Sequence, residues 1–225
     1  GEPVVVERAL LISAVSVPGL GNRELWQALV QEERSRRLQA FEPAGHLGAL
    51  CALSRLGVAG CRSSLLTKCI GPDEALPSAK EARREAAVLK AVVAKGLVPQ
   101  AAAAITPEEY AKLRRVFQLN GFRFNGELRE GDSGYDVGEV LFDSVSRINH
   151  SCEPNLAFDL AWSPEAGSVV IRICATRPLE EGEEVNISYL PAALRERLPG
   201  SERRRQLREH WLFDCGCRRC DEDRA

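Results

Sequence analysis

Near the end of the chain, Cys215, Cys217 and Cys220 follow the pattern C-x-C-x-x-C, and this spacing constrains the fold more than any other feature. Thiols this crowded are badly placed to pair with one another, yet they suit thiolates converging on one tetrahedral metal ion. Structural zinc takes four ligands, so a fourth must come from elsewhere. The candidates are Cys152 with its polar neighbours, His210, or one of the scattered cysteines. A reduced cluster without metal and a disulfide are the competing readings. If Cys152 is the fourth ligand, the metal fastens the tail to a segment far upstream, with the closed coordination of a structural site. A catalytic zinc would need an open position and, usually, His or carboxylate ligands.

Eight cysteines would allow a disulfide framework, but such frameworks belong mainly to short secreted domains that cannot build an adequate core. At 225 residues and 44% hydrophobic, this chain can bury one large core or two smaller ones. Cys51, Cys61, Cys69 and Cys174, scattered among apolar residues, read as small buried side chains.

The stretch Arg147-Ile148-Asn149-His150-Ser151-Cys152-Glu153-Pro154-Asn155 is too rich in caps and turn formers to be an element interior and reads as a shaped loop. Within it His150 invites a general-base reading, because an unshifted imidazole titrates near neutrality. The plainer reading is a loop residue that satisfies backbone groups, and no Ser-His-Asp or Cys-His spacing supports nucleophilic catalysis. Tyr189, at the end of an apolar run, reads as a half-buried sheet residue with a polar tip.

Along the chain, Val4-Val5-Val6 and Ala9 to Ile12 read as one or two short strands before Pro18-Gly19. Asn22 is placed to cap a helix that carries Leu25, Trp26, Leu29, Val30, Leu38 and Phe41, with Pro43 beyond its end. A second run, His46 to Leu56, stops at Gly57. The signal is then weak, with a helix around Leu65 and a turn at Gly71-Pro72-Asp73. Ala82, Ala86, Leu89 and Val93 follow helical spacing from Ser78, and Gly96 sits where a left-handed terminating residue would. Thr106-Pro107-Glu108-Glu109 is a strong helix start, and that helix should run to about Leu119. The character then changes. Phe122 and Phe124 suggest a strand, Gly126 to Gly138 a loop, and Leu156 to Trp162, Ser168 to Ala175 and Glu184 to Leu190 three further strands. Ser201 to Trp211 is a charged helix whose Arg203-Arg204-Arg205 run is most simply a solvated face. Strands that flank a helical block predict an α+β domain with a helical insertion, since a doubly wound sheet would alternate the two.

Thirty basic and 32 acidic residues give a formal charge of -2, so no overall field draws the chain to nucleic acid or to an anionic membrane surface. No apolar run approaches the roughly 20 residues that span a bilayer, and nothing near Gly1 resembles a secretory signal. The absence of any methionine, a first one included, suggests an excerpt from a longer chain. Cysteines of this pattern fit a reducing compartment, cytoplasmic or nuclear.

Asn149-His150-Ser151-Cys152-Glu153-Pro154-Asn155, then Gly182-Glu183-Glu184-Val185-Asn186-Ile187-Ser188-Tyr189, then the terminal C-x-C-x-x-C, together resemble in order and spacing the SET-domain protein lysine methyltransferases. Within them the similarity is to the branch that carries a MYND finger and to its fungal and protist relatives. It spans residues 147 to 220, weakens through the helical block and returns faintly at Gly1 to Glu7. The resemblance implies a SET-type β-clip fold of small sheets with a large helical insertion and a Cys-rich post-SET tail. Its segments would be N-terminal SET strands at 1–20, the insertion at 21–118, the SET core at 119–191 and the zinc-binding segment at 192–225. It further implies that Asn120, Asn149 and His150 contact S-adenosylmethionine, that Tyr189 is the catalytic tyrosine and lines the cofactor site, and that Phe213 packs on the adenine. Cys152, Cys215, Cys217 and Cys220 would bind structural zinc. The expected reaction is methyl transfer to a protein or peptide lysine, histone or not, with no nucleic-acid or membrane partner. The rival is an inactive descendant that keeps the fold and binds protein partners; a zinc-stapled nucleic-acid module has only the Arg203 to Arg205 run behind it. Two departures stand out: the family's glycine-rich cofactor loop and the MYND finger are absent from this sequence, and Trp211 stands where the family often has Tyr.

Overall fold

The computed structural model describes residues 3–14, 23–36, 43–69, 77–126 and 136–222. The expected cap at Asn22, the helical positions Leu38 and Phe41, and the turns at Pro18-Gly19 and Gly71-Pro72-Asp73 lie outside them, as does most of the loop expected after Gly126. In chain order, β1 (Val5–Arg8) and β2 (Leu11–Ala14) are followed by α1 (Arg23–Arg36) and α2 (Pro43–Gly60). A π-helical turn (Cys61–Leu65), α3 (Leu66–Lys68), α4 (Ala79–Ala94), a 3-10 turn (Gln100–Ala104) and α5 (Pro107–Asn120) come next. Then come β3 (Phe122–Gly126), β4 (Asp136–Leu141), a 3-10 turn (Val145–Arg147), β5 (Asn149–His150), β6 (Leu156–Ser163) and β7 (Ser168–Ala175). The chain closes with β8 (Asn186–Ile187), α6 (Ala192–Arg197), α7 (Gly200–Trp211) and α8 (Arg218–Glu222). The mixture of helices and small sheets is that of the α+β class expected.

The chain forms two compact units, Leu10–Leu141 and a discontinuous one made of Gly1–Ala9 with Phe142–Ala225. In the first, β2, β4 and β3 form an antiparallel sheet in that order. The expected loop ends earlier than Gly138, because Asp136 to Gly138 already pair with Gly126 to Phe124. The helices start where local chemistry dictates. Ser78 and Glu81 form a reciprocal capping box on α4, and Thr106 and Glu109 one on α5 with Pro107 in the first turn, so exposed N–H groups find partners before the helix ladder begins. Gly96, at φ 72°, follows the end of α4 as expected. α4 buries Ala82, Ala86, Leu89 and Val93 as its spacing predicts, with Val88 and Val92 beside them.

Gly57 interrupts α2 rather than ending it. The residue is at φ 66°, ψ 176°, a conformation that only glycine adopts without strain, and helical backbone resumes beyond it into the π turn. Cys51 and Cys61 are ordinary core residues, 5% and 0% exposed, and burial pushes the Cys61 thiol up to about 11. The same core holds polar groups: His46 Nδ1 and the Tyr110 hydroxyl are 2.8 Å apart, and Arg114 and Glu85 pair at 2.5 Å.

In the discontinuous unit, β1, β7 and β6 form an antiparallel sheet with β7 central. β7 is buried at Val169, Val170, Ile171 and Ile173, as suits a strand paired on both edges. β5 and β8 form a short parallel pair, Asn149 opposite Asn186 and His150 opposite Ile187. The strand expected over Glu184 to Leu190 shrinks to these two residues, because side chains take the remaining backbone groups. Asn155 Nδ2 donates to Glu184 O at 2.9 Å before β8 and the Tyr189 N–H goes to a ring nitrogen of His150 after it, while Asn155 Oδ1 also accepts the N–H of Asn186 within β8 at 2.9 Å.

Candidate active site and metal centre

The stretch from Arg147 to Asn155 is set in place from three directions, all within the discontinuous unit. The Glu7 carboxylate on β1 accepts the backbone N–H groups of Asp143, Ser144 and Val145 at 2.7, 2.9 and 2.9 Å, the open donors at the start of the 3-10 turn. Asn155, 3% exposed, ties the far end to the Glu183 to Asn186 segment. Between them, the Ser151 N–H donates to Ile187 O at 2.9 Å.

His150 lies at the crossing point. Its Nδ1 accepts the Tyr189 N–H at 2.9 Å, so the ring hydrogen belongs on Nε2, which lies 3.3 Å from Cys152 Sγ. Both nitrogens have assignments, and the general-base reading of His150 gives way to that of a scaffold. The Tyr189 hydroxyl donates to Ile148 O at 2.9 Å. Burial pushes the Tyr189 phenol up, so it keeps its proton at neutral pH and acts as a hydrogen-bonding group.

Around this pair lies a ring cluster. His150 is 5.2 Å from Tyr189 and 5.8 Å from Phe213, and Tyr189 is 5.5 Å from Trp211 and 6.2 Å, edge to face, from Phe213. These separations fall in the range of favourable aromatic pairs. Phe213 reaches the cluster because α7 ends at Leu212 in the left-handed region, at φ 64°, ψ 31°, which turns the chain sharply before it. Asn149 is exposed, its amide donating to Glu184 Oε1 at 3.0 Å. Asn120 belongs to the other unit, as the last residue of α5, with its amide donating to Val116 O at 3.0 Å.

The sulfurs of Cys152, Cys215, Cys217 and Cys220 lie within 4.8 Å of one another, those of Cys152 and Cys220 at 3.6 Å. Four thiolates at about 2.3 Å from a tetrahedral zinc stand roughly 3.8 Å apart, so the arrangement fits that ion. Among the described residues, His210 and the scattered cysteines take no part in this group; His210 instead packs edge-on against Trp211. The Arg203 to Arg205 run departs from expectation. Only Arg205 is exposed, while Arg203 is 1% exposed, its Nη1 donating to Leu198 O at 2.7 Å and its Nη2 lying 3.8 Å from Cys220 Sγ. Neither Arg203 nor Glu7 stood out in the sequence. The one available signal for Arg203 was its spacing of four from Leu207, also buried, which puts both on one helix face.

A family model of the SET domain matches residues 57–190, more than half of the chain. The chain is similar to the histone-lysine N-methyltransferase SMYD3 of Homo sapiens, 36% identical over 96 residues that cover 43% of this chain and 19% of that protein. It is also similar to the histone-lysine N-methyltransferase SET5 of Saccharomyces cerevisiae, 30% identical over 128 residues, 57% of this chain and 20% of the relative. With the protein-lysine N-trimethyltransferase SMYD5 of Mus musculus it shares 41% identity over 83 residues, 37% and 19% of the two chains. The similarity thus spans about a fifth of the length of each of these relatives. With the motif order and the four-cysteine group, these matches establish that the chain belongs to the SET domain family, near the branch that includes SMYD3 and SMYD5.

Proposed function

We propose that this chain is the core of a protein-lysine N-methyltransferase that uses S-adenosylmethionine, with a structural zinc held by Cys152, Cys215, Cys217 and Cys220. The observation that carries the reading is the placement of Tyr189: a protonated phenol directed at the Ile148 carbonyl, its own N–H fixed by His150, within a ring of aromatic side chains. When bound, S-adenosylmethionine supplies an electrophilic sulfonium methyl. The work left to the protein is alignment of an uncharged amine, because an in-line displacement needs a positioned lone pair more than a strong base. The Tyr189 oxygen and the Ile148 carbonyl are the acceptors that orient the lysine nitrogen, and such oxygens also hold a polarised methyl through weak C–H to O contacts. Tyr189, Trp211 and Phe213 exclude water from the approach, which lowers the lysine pKa and favours its neutral form. Asn149, with the backbone of His150, holds the cofactor, Asn120 adds a further contact to it, and Phe213 takes its adenine.

The segments assigned from the resemblance, strands at 1–20, insertion at 21–118, core at 119–191 and zinc tail at 192–225, stand as part of this proposal. The substrates are protein lysines, in histones or elsewhere, as the names of the relatives imply, and a cytoplasmic or nuclear setting follows. No described helix is long and apolar enough to cross a membrane.

The test is calorimetric titration of the full-length protein with S-adenosylmethionine, followed by label transfer to a protein extract. Tyr189→Phe should keep cofactor binding and lose on the order of 10² in transfer rate, the scale of removing one hydrogen-bonding group from a reacting centre. No cofactor binding would refute the enzyme reading. Binding without Tyr189-dependent transfer would identify an inactive SET module.

A further inference from the structure

Arg203 is a buried guanidinium beside the four-cysteine group. It sits on α7, a charged helix that buries only Gly200 and Leu207 besides it, and at 1% exposure it is among the largest fully buried side chains of the described residues. Burying an arginine costs several kcal/mol unless nearby groups compensate its charge. Its Nη1 donates to Leu198 O at 2.7 Å, just before α7, and its Nη2 reaches Cys220 Sγ at 3.8 Å. The neighbouring Arg204 donates from Nη1 to Cys220 O at 2.8 Å, so α7 grips Cys220 at both its side chain and its backbone. A four-thiolate site around one divalent cation carries net negative charge, and Cys152, Cys215 and Cys220 are buried. A buried anionic group needs a cation close by, and arginine, permanently charged and weakly hydrated, is the side chain that meets this need at least cost.

We infer that Arg203 is the counter-ion of the four-cysteine metal centre, a positioning residue that donates through Nη2 to the Cys220 sulfur and offsets the charge of the thiolates. A second ligand sulfur has a nitrogen beside it too, His150 Nε2 standing 3.3 Å from Cys152 Sγ, so two of the four sulfurs meet N–H groups, of which Arg203 supplies the full positive charge. Partners of this kind orient metal ligands and tune their affinity. The consequence goes beyond packing: the energy of the thiolates, and with it the hold on the metal, depends on the charge at position 203.

This inference rests on the zinc reading above. The test uses the zinc-loaded whole protein and its cobalt-substituted form, with metal affinity read by chelator competition and the sulfur-to-metal charge-transfer band by absorption. Arg203→Met should weaken affinity by about 10- to 100-fold and move the band to lower energy, since an uncompensated thiolate is easier to oxidise. Arg203→Lys, which keeps the charge, should restore most of the affinity and band position, whereas Arg203→Gln, which keeps N–H donors without charge, should not. Equal losses in the Met, Gln and Lys variants with an unmoved band would show a packing role only and overturn the inference, as would affinity unchanged in a folded Arg203→Met. If Arg203→Met fails to fold, the comparison of Lys with Gln decides alone. A wild-type chain whose four cysteines bind no zinc would refute the zinc reading itself.

Discussion

At the scale of single residues, the backbone at Leu212 carries the clearest cost. Among the described residues it is the one non-glycine with positive φ, a conformation that costs an L-residue about 1–2 kcal/mol. The turn it makes brings Phe213 into the aromatic cluster. Leu212 is 36% exposed, so its side chain is not part of a closed core. Leu212→Gly removes the strain but adds about 0.4–1 kcal/mol of unfolded-chain entropy, and a gain of up to about 1 kcal/mol is expected in denaturant titration. Leu212→Val, β-branched, should instead destabilise the chain by a similar amount. Glu7 presents the reverse case, a side chain with three strong partners. Glu7→Gln replaces one acceptor oxygen with a donor that faces N–H groups, and a loss of about 1–3 kcal/mol is expected by the same method, with faster hydrogen exchange at Asp143 to Val145. The sequence concealed both residues. The partners of Glu7 stand 136 to 138 positions away, and no local pattern marks such a contact. Arg203, in a run of three arginines, had the signature of a wet helix face.

Elements were legible where their ends are locally encoded. Ser78 with Glu81 and Thr106 with Glu109 announce α4 and α5, and both capping boxes form, because their hydrogen bonds involve only neighbours three residues apart. The alternating and apolar runs of β6 and β7 were equally readable. What failed was decided by tertiary contacts: β8 keeps two residues because Asn155 and His150 claim the adjoining backbone, and the π turn at Cys61–Leu65 follows a kink whose glycine looked like a stop. The packing of α2 against α5 shows how tight these contacts are. A Cβ at Gly48 would stand 2.4 Å from Cδ1 of Phe117, which is itself fully buried, so the ring must shift in a core that has no slack. Gly48→Ala raises helix propensity by about 1 kcal/mol, yet overpacking costs typically 1–3 kcal/mol. The expected net is a loss of up to about 2 kcal/mol. Gly48→Ala combined with Phe117→Leu should recover part of it, which a double-mutant cycle of unfolding free energies checks.

At the scale of the whole molecule, the chemistry-bearing motifs were readable in order, since Asn149 to Asn155, Gly182 to Tyr189 and the terminal cysteines each form a compact local string. That the first nine residues join the unit built from the last third of the chain was not. Val5 pairs with Ile173 although the intervening Leu10–Leu141 form a compact unit of their own, and a local reading has no access to such pairing. The Leu10–Leu141 unit also carries a consequence for global stability that no motif announces. His46 is fully buried, and desolvation first, then the charge of Arg114, holds its imidazole well below the ordinary value of 6.5. Above about pH 6.5 the ring is neutral in folded and unfolded chains alike and contributes no pH dependence. Below it, the unfolded chain binds a proton that the folded chain refuses, so stability falls as pH falls, approaching about 1.4 kcal/mol per pH unit. The Glu109 carboxylate, lowered to about 2 chiefly by its hydrogen bond from Arg62, acts in the same direction but only below its ordinary value of 4.5, so the two windows separate. Between pH 6.5 and 5.5 the His46 contribution alone should remove about 1 kcal/mol of unfolding free energy. His46→Gln lowers the baseline by disturbing the contact with Tyr110, yet it should flatten that interval, and urea titrations of both proteins at the two pH values decide the matter: an unchanged slope in the variant would show that the proton is taken up elsewhere.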